Sequence, residues 1–418
     1  MYTNYLIIGA SHAGLSALEA IRRIDPDADL TVVTTQKKQL YSPTALPYVI
    51  SGKTEPEKTD LRPPDYFKDQ NINFIKDASA TQIDTQNSRV TLNGSLTIEY
   101  KKLLIATGAT ALVPPIFGIE DVDFTTIRTM DDAKKIKKNM SHAKSALIIG
   151  AGFIGMHAAE SFAEAGIKVT VIEAVDQIMP ASFDTEASDL IRKVFDEKGI
   201  TMLTGKPVSK AFKRDGKTIL VIEEGAEVEG DMLVIAAGIA PNTDFLEGSK
   251  IDCDPGIVVD KRMRTTVSNV WAAGDVASVS GFFSEKKTLA GTIPCATEQG
   301  NIAGMDMVED SYVMDYPGNL DMNTFGFFGN FAFSLGNVAD ISIDDGFEIK
   351  TQKDPEKNSF CKLIFRDDVL TGVSAINMRL DPGILKALVL RKTDLSARKD
   401  EFIEAPLEIG RQVMRELF

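Results

Sequence analysis

A chain of 418 residues is long for one core and predicts two or three domains. Its 44% hydrophobic and 25% charged residues are those of a globular chain rather than a disordered one, and a formal charge of −14 without any basic stripe argues against nucleic acid or an anionic membrane as partner. Cys253, Cys295 and Cys361 lie too far apart for a CxxC pair or an iron–sulfur ligand set, and His12, His142 and His157 are the only histidines, so no metal site is expected and redox work would need an organic cofactor.

Met1 to Gly9 carry no basic leader, and no segment reaches the ~20 apolar residues of a membrane helix, so the expectation is a cytoplasmic chain. Residues 5–9 read as an apolar strand. Leu15, Leu18, Ile21 and Ile24 then recur at helical spacing until Pro26, and "LTVVT" at 30–34 is the next strand. This βαβ unit contains Gly9-Ala10-Ser11-His12-Ala13-Gly14, a dinucleotide turn with serine at the middle glycine, and its second strand ends in Thr34, Thr35 and Gln36 where an acid is expected. Taken alone, the turn is either a phosphate cradle or an ordinary strand-to-helix turn.

The same grammar returns at 146–173. Gly150-Ala151-Gly152-Phe153-Ile154-Gly155 is a complete GxGxxG; Ile154, Ala158 and Phe162 sit four apart on one helical face; and Gly166 stops the helix. Glu173 ends the next strand, 23 residues beyond Gly150, where a carboxylate accepts from an adenine ribose 2′-OH and repels a 2′-phosphate; NAD(H) is therefore expected over NADP(H). Three further strand ends carry small residues: Ala106, Thr107 and Gly108 in "LLIATGA", Gly238 in "LVIAAGIAPNT", and Gly274 with Asp275 in "SNVWAAGDVA". The stretch 219–238 reads as a β-meander feeding a buried strand. From residue 321 the texture changes to "TFGFFGNFAFSLG", core strand or interface patch, then a hairpin at 361–376, then a helical end with Leu385, Leu388 and Leu390 early and Ile409, Val413 and Leu417 late.

Five motifs in this order resemble the two-dinucleotide-fold flavoproteins related to pyridine nucleotide–disulfide oxidoreductases. The resemblance implies an α/β chain of two Rossmann-like dinucleotide-binding domains, FAD and NAD, the latter inserted, plus an α+β C-terminal interface domain. Its boundaries would be 1–112 with 244–320 for FAD, 113–243 for NAD(H) and 321–418 for the interface domain. It implies that Gly9, Ser11, His12, Ala13 and Gly14 hold the FAD pyrophosphate, that Asp275 holds the ribityl chain, and that the helix at 294–308 points its N-terminus, at Ala296 and Thr297, toward the flavin pyrimidine. It assigns NAD(H) to Gly150, Gly152, Phe153, Ile154, Gly155 and Glu173, and includes Pro43, Thr44, Ala106, Thr107, Gly108, Gly238 and Gly274 among cofactor contacts.

Many such flavoproteins carry a redox cysteine in the region that here reads "QLYSPTALPYVISGK" (39–53), which has none; aligned with coenzyme A disulfide reductases and NADH oxidases, Thr44 takes the place of their thiol. A hydroxyl cannot cycle between thiolate and disulfide. The resemblance therefore points to the ferredoxin and rubredoxin reductase branch, and in wording to the FAD-containing NADH:acceptor subunits of the phenylglyoxylate dehydrogenase and tungsten aldehyde oxidoreductase complexes. It implies an NADH:acceptor oxidoreductase working with an iron–sulfur protein or subunit, as a homodimer or part of a larger complex. An NADH oxidase or coenzyme A disulfide reductase-like enzyme is the alternative, and a non-catalytic binding subunit a third. Cys295 is either a thiol near the flavin or a small buried residue. His157, where relatives often have glutamate, either senses nicotinamide charge or is a packed helical residue.

Overall fold

The computed structural model describes residues 1–37, 40–222, 225–336, 338, 341 and 346–416. They form a mixed α/β chain that divides into two compact units, one comprising Met1–Leu46, Thr54–Thr110 and Ile239–Leu320 and the other Pro47–Lys53, Ala111–Gly238 and Asp321–Phe418.

The first unit opens with β1 (Tyr2–Ile8), α1 (His12–Ile24), β2 (Leu30–Val33) and β3 (Asn73–Ile75), followed by β4 (Ala80–Asp84), β5 (Arg89–Leu92) and β6 (Leu96–Ile105). Strand order is β3-β2-β1-β6-β5-β4, with β1 parallel to both β2 and β6. Parallel strands buried on both faces need continuous apolar sequence, and Leu6, Ile7, Ile8, Val32, Val33, Leu103, Leu104 and Ile105 supply it. On α1 the stripe Leu15, Leu18 and Ile21 is buried; Ile24, expected to continue it, is 38% exposed because it is the last helical residue.

In the second unit, β7 (Ser145–Ile149), α2 (Phe153–Glu164), β8 (Lys168–Ile172), α3 (Thr185–Glu197) and β9 (Met232–Ile235) build a second doubly wound fold. Its all-parallel sheet runs Thr201–Leu203, β8, β7, β9, Thr125–Thr126. The expected meander is a separate antiparallel sheet of Val208–Arg214, Lys217–Ile222 and Glu227–Gly230. Of the face Ile154, Ala158 and Phe162, the last two are buried, but Ile154 is 40% exposed, since it lies in the first turn of α2 ahead of the packed stripe.

The chain returns to the first unit through Val270–Ala272, which adds parallel to β6, and α4 (Ile293–Met307). Helix α4 approaches α1 at backbone distance: a Cβ on Gly300 would lie 2.1 Å from Ala13 O, and one on Gly304 2.5 Å from Ala17 O. Ser16 Oγ donates to Thr297 O at 2.8 Å across the same contact. This fixes the first half of α1 against the body of α4.

The C-terminal segment is an antiparallel sheet of β10 (Met322–Phe327), β11 (Asn330–Gly336), β12 (Glu348–Asp354), β13 (Ser359–Arg366) and β14 (Val369–Ile376), in the order β10-β11-β14-β13-β12. Phe325, Phe327 and Phe333 are core, and Phe331, near the start of β11, is 42% exposed. Among the described residues the helical end comprises Pro382–Leu390, Lys399–Glu404 and Pro406–Glu416. Leu385, Leu388, Ile409 and Val413 are buried, while Leu417 lies outside the described residues. Within the second unit this sheet docks on the inserted fold. Phe325 meets Phe153 at 5.8 Å and Phe195 at 6.2 Å, Lys362 Nζ pairs with Asp184 at 2.9 Å, and Phe328 N donates to Glu160 Oε1 at 2.6 Å. No described helix is long and apolar enough to cross a membrane.

Candidate functional site

The two turns obey the same steric rules. Gly9 has φ +115° and a Cβ there would sit 2.0 Å from Ala106 O; Gly150 has φ +106° and its Cβ would sit 2.3 Å from Ala236 O. Each turn thus presses its first glycine against the neighbouring parallel strand, which excludes any side chain. The third glycines are equally confined: Cβ atoms on Gly14 and Gly155 would meet the carbonyls of Gly9 and Gly150 at 1.8 and 2.0 Å. The middle position differs. Gly152 has open space around its Cβ direction and extended backbone (φ −78°, ψ −178°), and Ser11 adopts nearly the same backbone (φ −95°, ψ −161°). Serine therefore costs the turn nothing within the protein itself.

Among the described helices of nine or more residues whose N-cap is given, the cap separates these turns from ordinary ones. Thr129, Asp184 and Asp381 each accept a backbone N–H at the start of their helices, as N-cap residues usually do. At α1, α2 and α4 the N-cap residues Ser11, Gly152 and Thr292 make no side-chain cap bond. Those helices keep first-turn N–H groups and the positive end of the helix dipole for another acceptor, the provision an anionic phosphate or a polarised carbonyl requires. The residues present fit two dinucleotides: closely packed turns at 9–14 and 150–155, and a third uncapped helix whose first turn holds Ala296 and Thr297. Glu298, whose charge would oppose an anion there, is exposed.

Around the first turn, Ala106 is buried, and Thr107 is tied to Asn242 by two hydrogen bonds, Thr107 Oγ1 to Asn242 O at 3.0 Å and Asn242 Nδ2 to Thr107 O at 2.9 Å. Gly274 N donates to the buried Gln299 Oε1 at 2.8 Å, which fixes the loop carrying Asp275 against α4. Gly108 and Gly238 both have positive φ. Thr44 lies in a short 3-10 turn, Pro43–Ala45, and its Oγ1 is 2.9 Å from Ser42 Oγ, which is in turn 3.0 Å from His12 Nε2. Burial, then the charge of Arg62, hold the His12 imidazole below its ordinary range, with Asp275 acting in the opposite sense. Neither Ser42 nor Arg62 stood out in the sequence; the signal for Ser42 is a Ser-Pro-Thr run in which serine occupies an N-cap position without capping.

Cys295 is buried in the first turn of α4, where its thiol donates to Asn319 Oδ1 at 3.3 Å. Tyr316 packs beside it, its phenol held well above the usual range by burial and by that thiol. Cys361 is buried in β13 and burial pushes its thiol up to about 12. Cys253 is exposed. Among the described residues no cluster of His, Cys, Asp and Glu could hold a metal.

In the second turn Glu173 serves the protein first: Oε2 accepts from Ala151 N at 2.7 Å and Oε1 from Val175 N at 3.2 Å. The carboxylate is thereby locked at the lip of the turn, between β8 and α2. Phe153 meets Phe183 at 6.2 Å as well as Phe325. His157, one turn further along α2, stacks edge-on against Phe325 at 4.9 Å with Nδ1 4.0 Å from Glu160 Oε2. Burial, then the charge of Lys53, hold its imidazole below the ordinary range, while burial raises the Glu160 carboxyl.

Comparison with known proteins agrees with this geometry. The profile of the family described as pyridine nucleotide-disulphide oxidoreductase matches residues 3–300. The NADH-dependent phenylglyoxylate dehydrogenase subunit epsilon of Aromatoleum evansii is 39% identical over 414 residues, 99% of this chain and 97% of its own length. An NADH oxidase of Methanocaldococcus jannaschii is 30% identical over 313 residues, 72% of this chain and 69% of its own. The solved structure of an NAD-dependent persulfide reductase from A. fulgidus superposes with a TM-score of 0.85 at 31% identity, covering 94% of this chain and 78% of that one.

Proposed function

The chain belongs to the pyridine nucleotide-disulphide oxidoreductase family, whose cofactors are FAD and NAD(H), and from that premise we propose that it passes electrons between NAD(H) and an iron–sulfur partner without using a protein thiol. The observation that carries this reading is Thr44, a hydroxyl bonded to Ser42 where the thiol of disulfide-reducing relatives would stand.

In this reading residues 1–112 and 244–320 hold FAD, 113–243 hold NAD(H), and 321–418 form the interface domain. FAD supplies the conversion between hydride transfer and single-electron transfer. The protein supplies position and field. The turn at Gly9, Ser11, His12, Ala13 and Gly14 directs α1 N–H groups at the FAD pyrophosphate, and Asp275 accepts from the ribityl hydroxyls. Ala296 and Thr297, near the start of α4, would lie by the flavin pyrimidine edge under the positive end of the α4 dipole, the Ala296 N–H itself being donated to Thr292 O at 3.0 Å. Gly150, Gly152, Phe153, Ile154 and Gly155 cradle the NAD(H) pyrophosphate. Glu173, already fixed by Ala151 N, offers its remaining lone pairs to the adenine ribose. Pro43, Ala106, Thr107, Gly108, Gly238 and Gly274 shape the walls, and His157 and Cys295 are positioning residues behind the nicotinamide and flavin sites.

The relative named as a subunit of an NADH-dependent phenylglyoxylate dehydrogenase, which matches this chain nearly end to end, supports a place in a larger assembly. In this reading the chain exchanges electrons with an iron–sulfur partner rather than with a free disulfide, and the threonine in place of a thiol supports that role. The test is acceptor choice by the purified FAD-loaded chain with NADH. Rapid anaerobic reduction of ferricyanide and of an iron–sulfur protein, with slow turnover of oxygen and of coenzyme A disulfide, is expected. Oxygen consumed as fast as ferricyanide is reduced would make the chain an NADH oxidase instead.

A further inference from the structure

The hydroxyls near α1 are arranged for more than packing. Ser42 occupies the N-cap of its 3-10 turn and Ser11 that of α1, yet neither side chain caps. Ser42 instead bridges Thr44 Oγ1 at 2.9 Å and His12 Nε2 at 3.0 Å, both ordinary hydrogen-bond lengths. The three groups make a continuous line from exposed Thr44 to half-buried His12, on two separate pieces of chain.

We infer that His12, Ser42 and Thr44 form a proton-carrying chain that serves one-electron delivery. This rests on the reading that the flavin lies beside this turn. The balance leaves one proton to be carried away. NADH gives NAD+, two electrons and one proton; two one-electron acceptors of the iron–sulfur class take the electrons and leave the proton behind. In a thiol-using relative the sulfur chemistry can absorb protons; here a hydroxyl stands in that place. The proton binds Thr44 Oγ1 as that hydroxyl gives its own to Ser42 Oγ, and Ser42 gives its own to His12 Nε2. The imidazolium then releases the proton on Nδ1 to water, and the line resets when the hydroxyls rotate back and the imidazole returns from its Nε2–H to its Nδ1–H tautomer by proton exchange with water. In the reverse direction the same line supplies the proton that accompanies two electrons onto NAD+.

For this His12 must begin neutral, with Nε2 accepting from Ser42. Burial and Arg62 favour the neutral ring, and Asp275 acts in the opposite sense. Arg62 is itself held by Glu19, with Tyr66 on the same carboxylate, so its charge faces His12 from a fixed place.

The test uses the FAD-loaded full chain in two half-reactions: reduction by NADH, then reoxidation of the reduced protein by ferricyanide, in H2O and D2O, for the natural chain and for Ser42→Ala, Thr44→Val and Thr44→Ser. Positioned proton-transfer groups contribute about 10²–10⁴ in rate. Reoxidation of Ser42→Ala and Thr44→Val should therefore slow at least about tenfold more than reduction does, with Thr44→Ser restoring most of the loss. An independent readout is the ring 15N titration of the three histidines, in which Ser42→Ala should move the His12 titration and leave His142 and His157 in place. Equal reoxidation rates across the series, or an unmoved His12 titration, overturns the proton chain. Failure of NADH to reduce the natural chain at all would strike the parent reading, and shows before any variant is made.

Discussion

At Ser11 one side chain decides whether the first turn can serve a dinucleotide, and the equivalent Gly152 answers for it, since the space there is open in both backbone shape and surroundings. Ser11→Gly should therefore leave flavin retention and thermal stability nearly unchanged. Gly14→Ala should abolish flavin retention, because its Cβ would lie 1.8 Å from Gly9 O and neither backbone can yield without opening the turn. Flavin absorbance per chain after purification measures both. His157 makes a pH prediction. Its folded imidazole is held below the ordinary value near about 6.5, so the unfolded chain takes up the proton first as pH falls. Its contribution is complete above that value and is lost progressively below it. His157→Gln should flatten the decline in melting temperature between about pH 7.5 and 5.5. The raised Glu160 carboxyl, which bends the acidic edge the other way, remains in both proteins. Parallel curves would contradict the assignment.

Among the elements, the two strand–turn–helix units were legible because their glycines, apolar strands and following helices all carry one message. What the sequence concealed was contact across distance. Nothing in "NIAGMDM" announces that Gly300 and Gly304 let α4 lie against the α1 backbone, and no periodicity marks Ile154 as exposed while Phe162 is buried. Thr44 was found by its place in a resemblance, but its bond to Ser42 and the link to His12 depend on two segments about thirty residues apart meeting in space. Glu173 was expected as a ribose acceptor, and its prior engagement with Ala151 N could not be read from spacing. That dual duty yields a prediction. Glu173→Ala with Ala174→Arg should raise the NADPH-to-NADH preference by at least about tenfold, roughly 1.4 kcal/mol, while also loosening the turn and weakening both dinucleotides. Preference unchanged in steady-state kinetics would remove Glu173 from the ribose site.

For the molecule as a whole, the inserted dinucleotide fold and the C-terminal sheet belong to one compact unit, joined by Phe325, by the Lys362–Asp184 ion pair and by Glu160 at Phe328 N. Phe325 is fully buried among Phe153, Phe195, Phe327 and His157, so Phe325→Ala should cost about 3–5 kcal/mol and lower the melting temperature of the second unit. Calorimetry with and without NADH would follow that loss. The central claim is that this molecule passes electrons from NAD(H) through flavin without a thiol. The most direct measurement is an anaerobic titration of the purified chain with NADH, and separately NADPH, while flavin absorbance is recorded. The account predicts complete bleaching at one NADH per flavin, with no further equivalent taken up by a disulfide and a poor response to NADPH. A chain that holds no flavin, that stays oxidised under NADH, or that consumes two NADH per flavin before full reduction would contradict it.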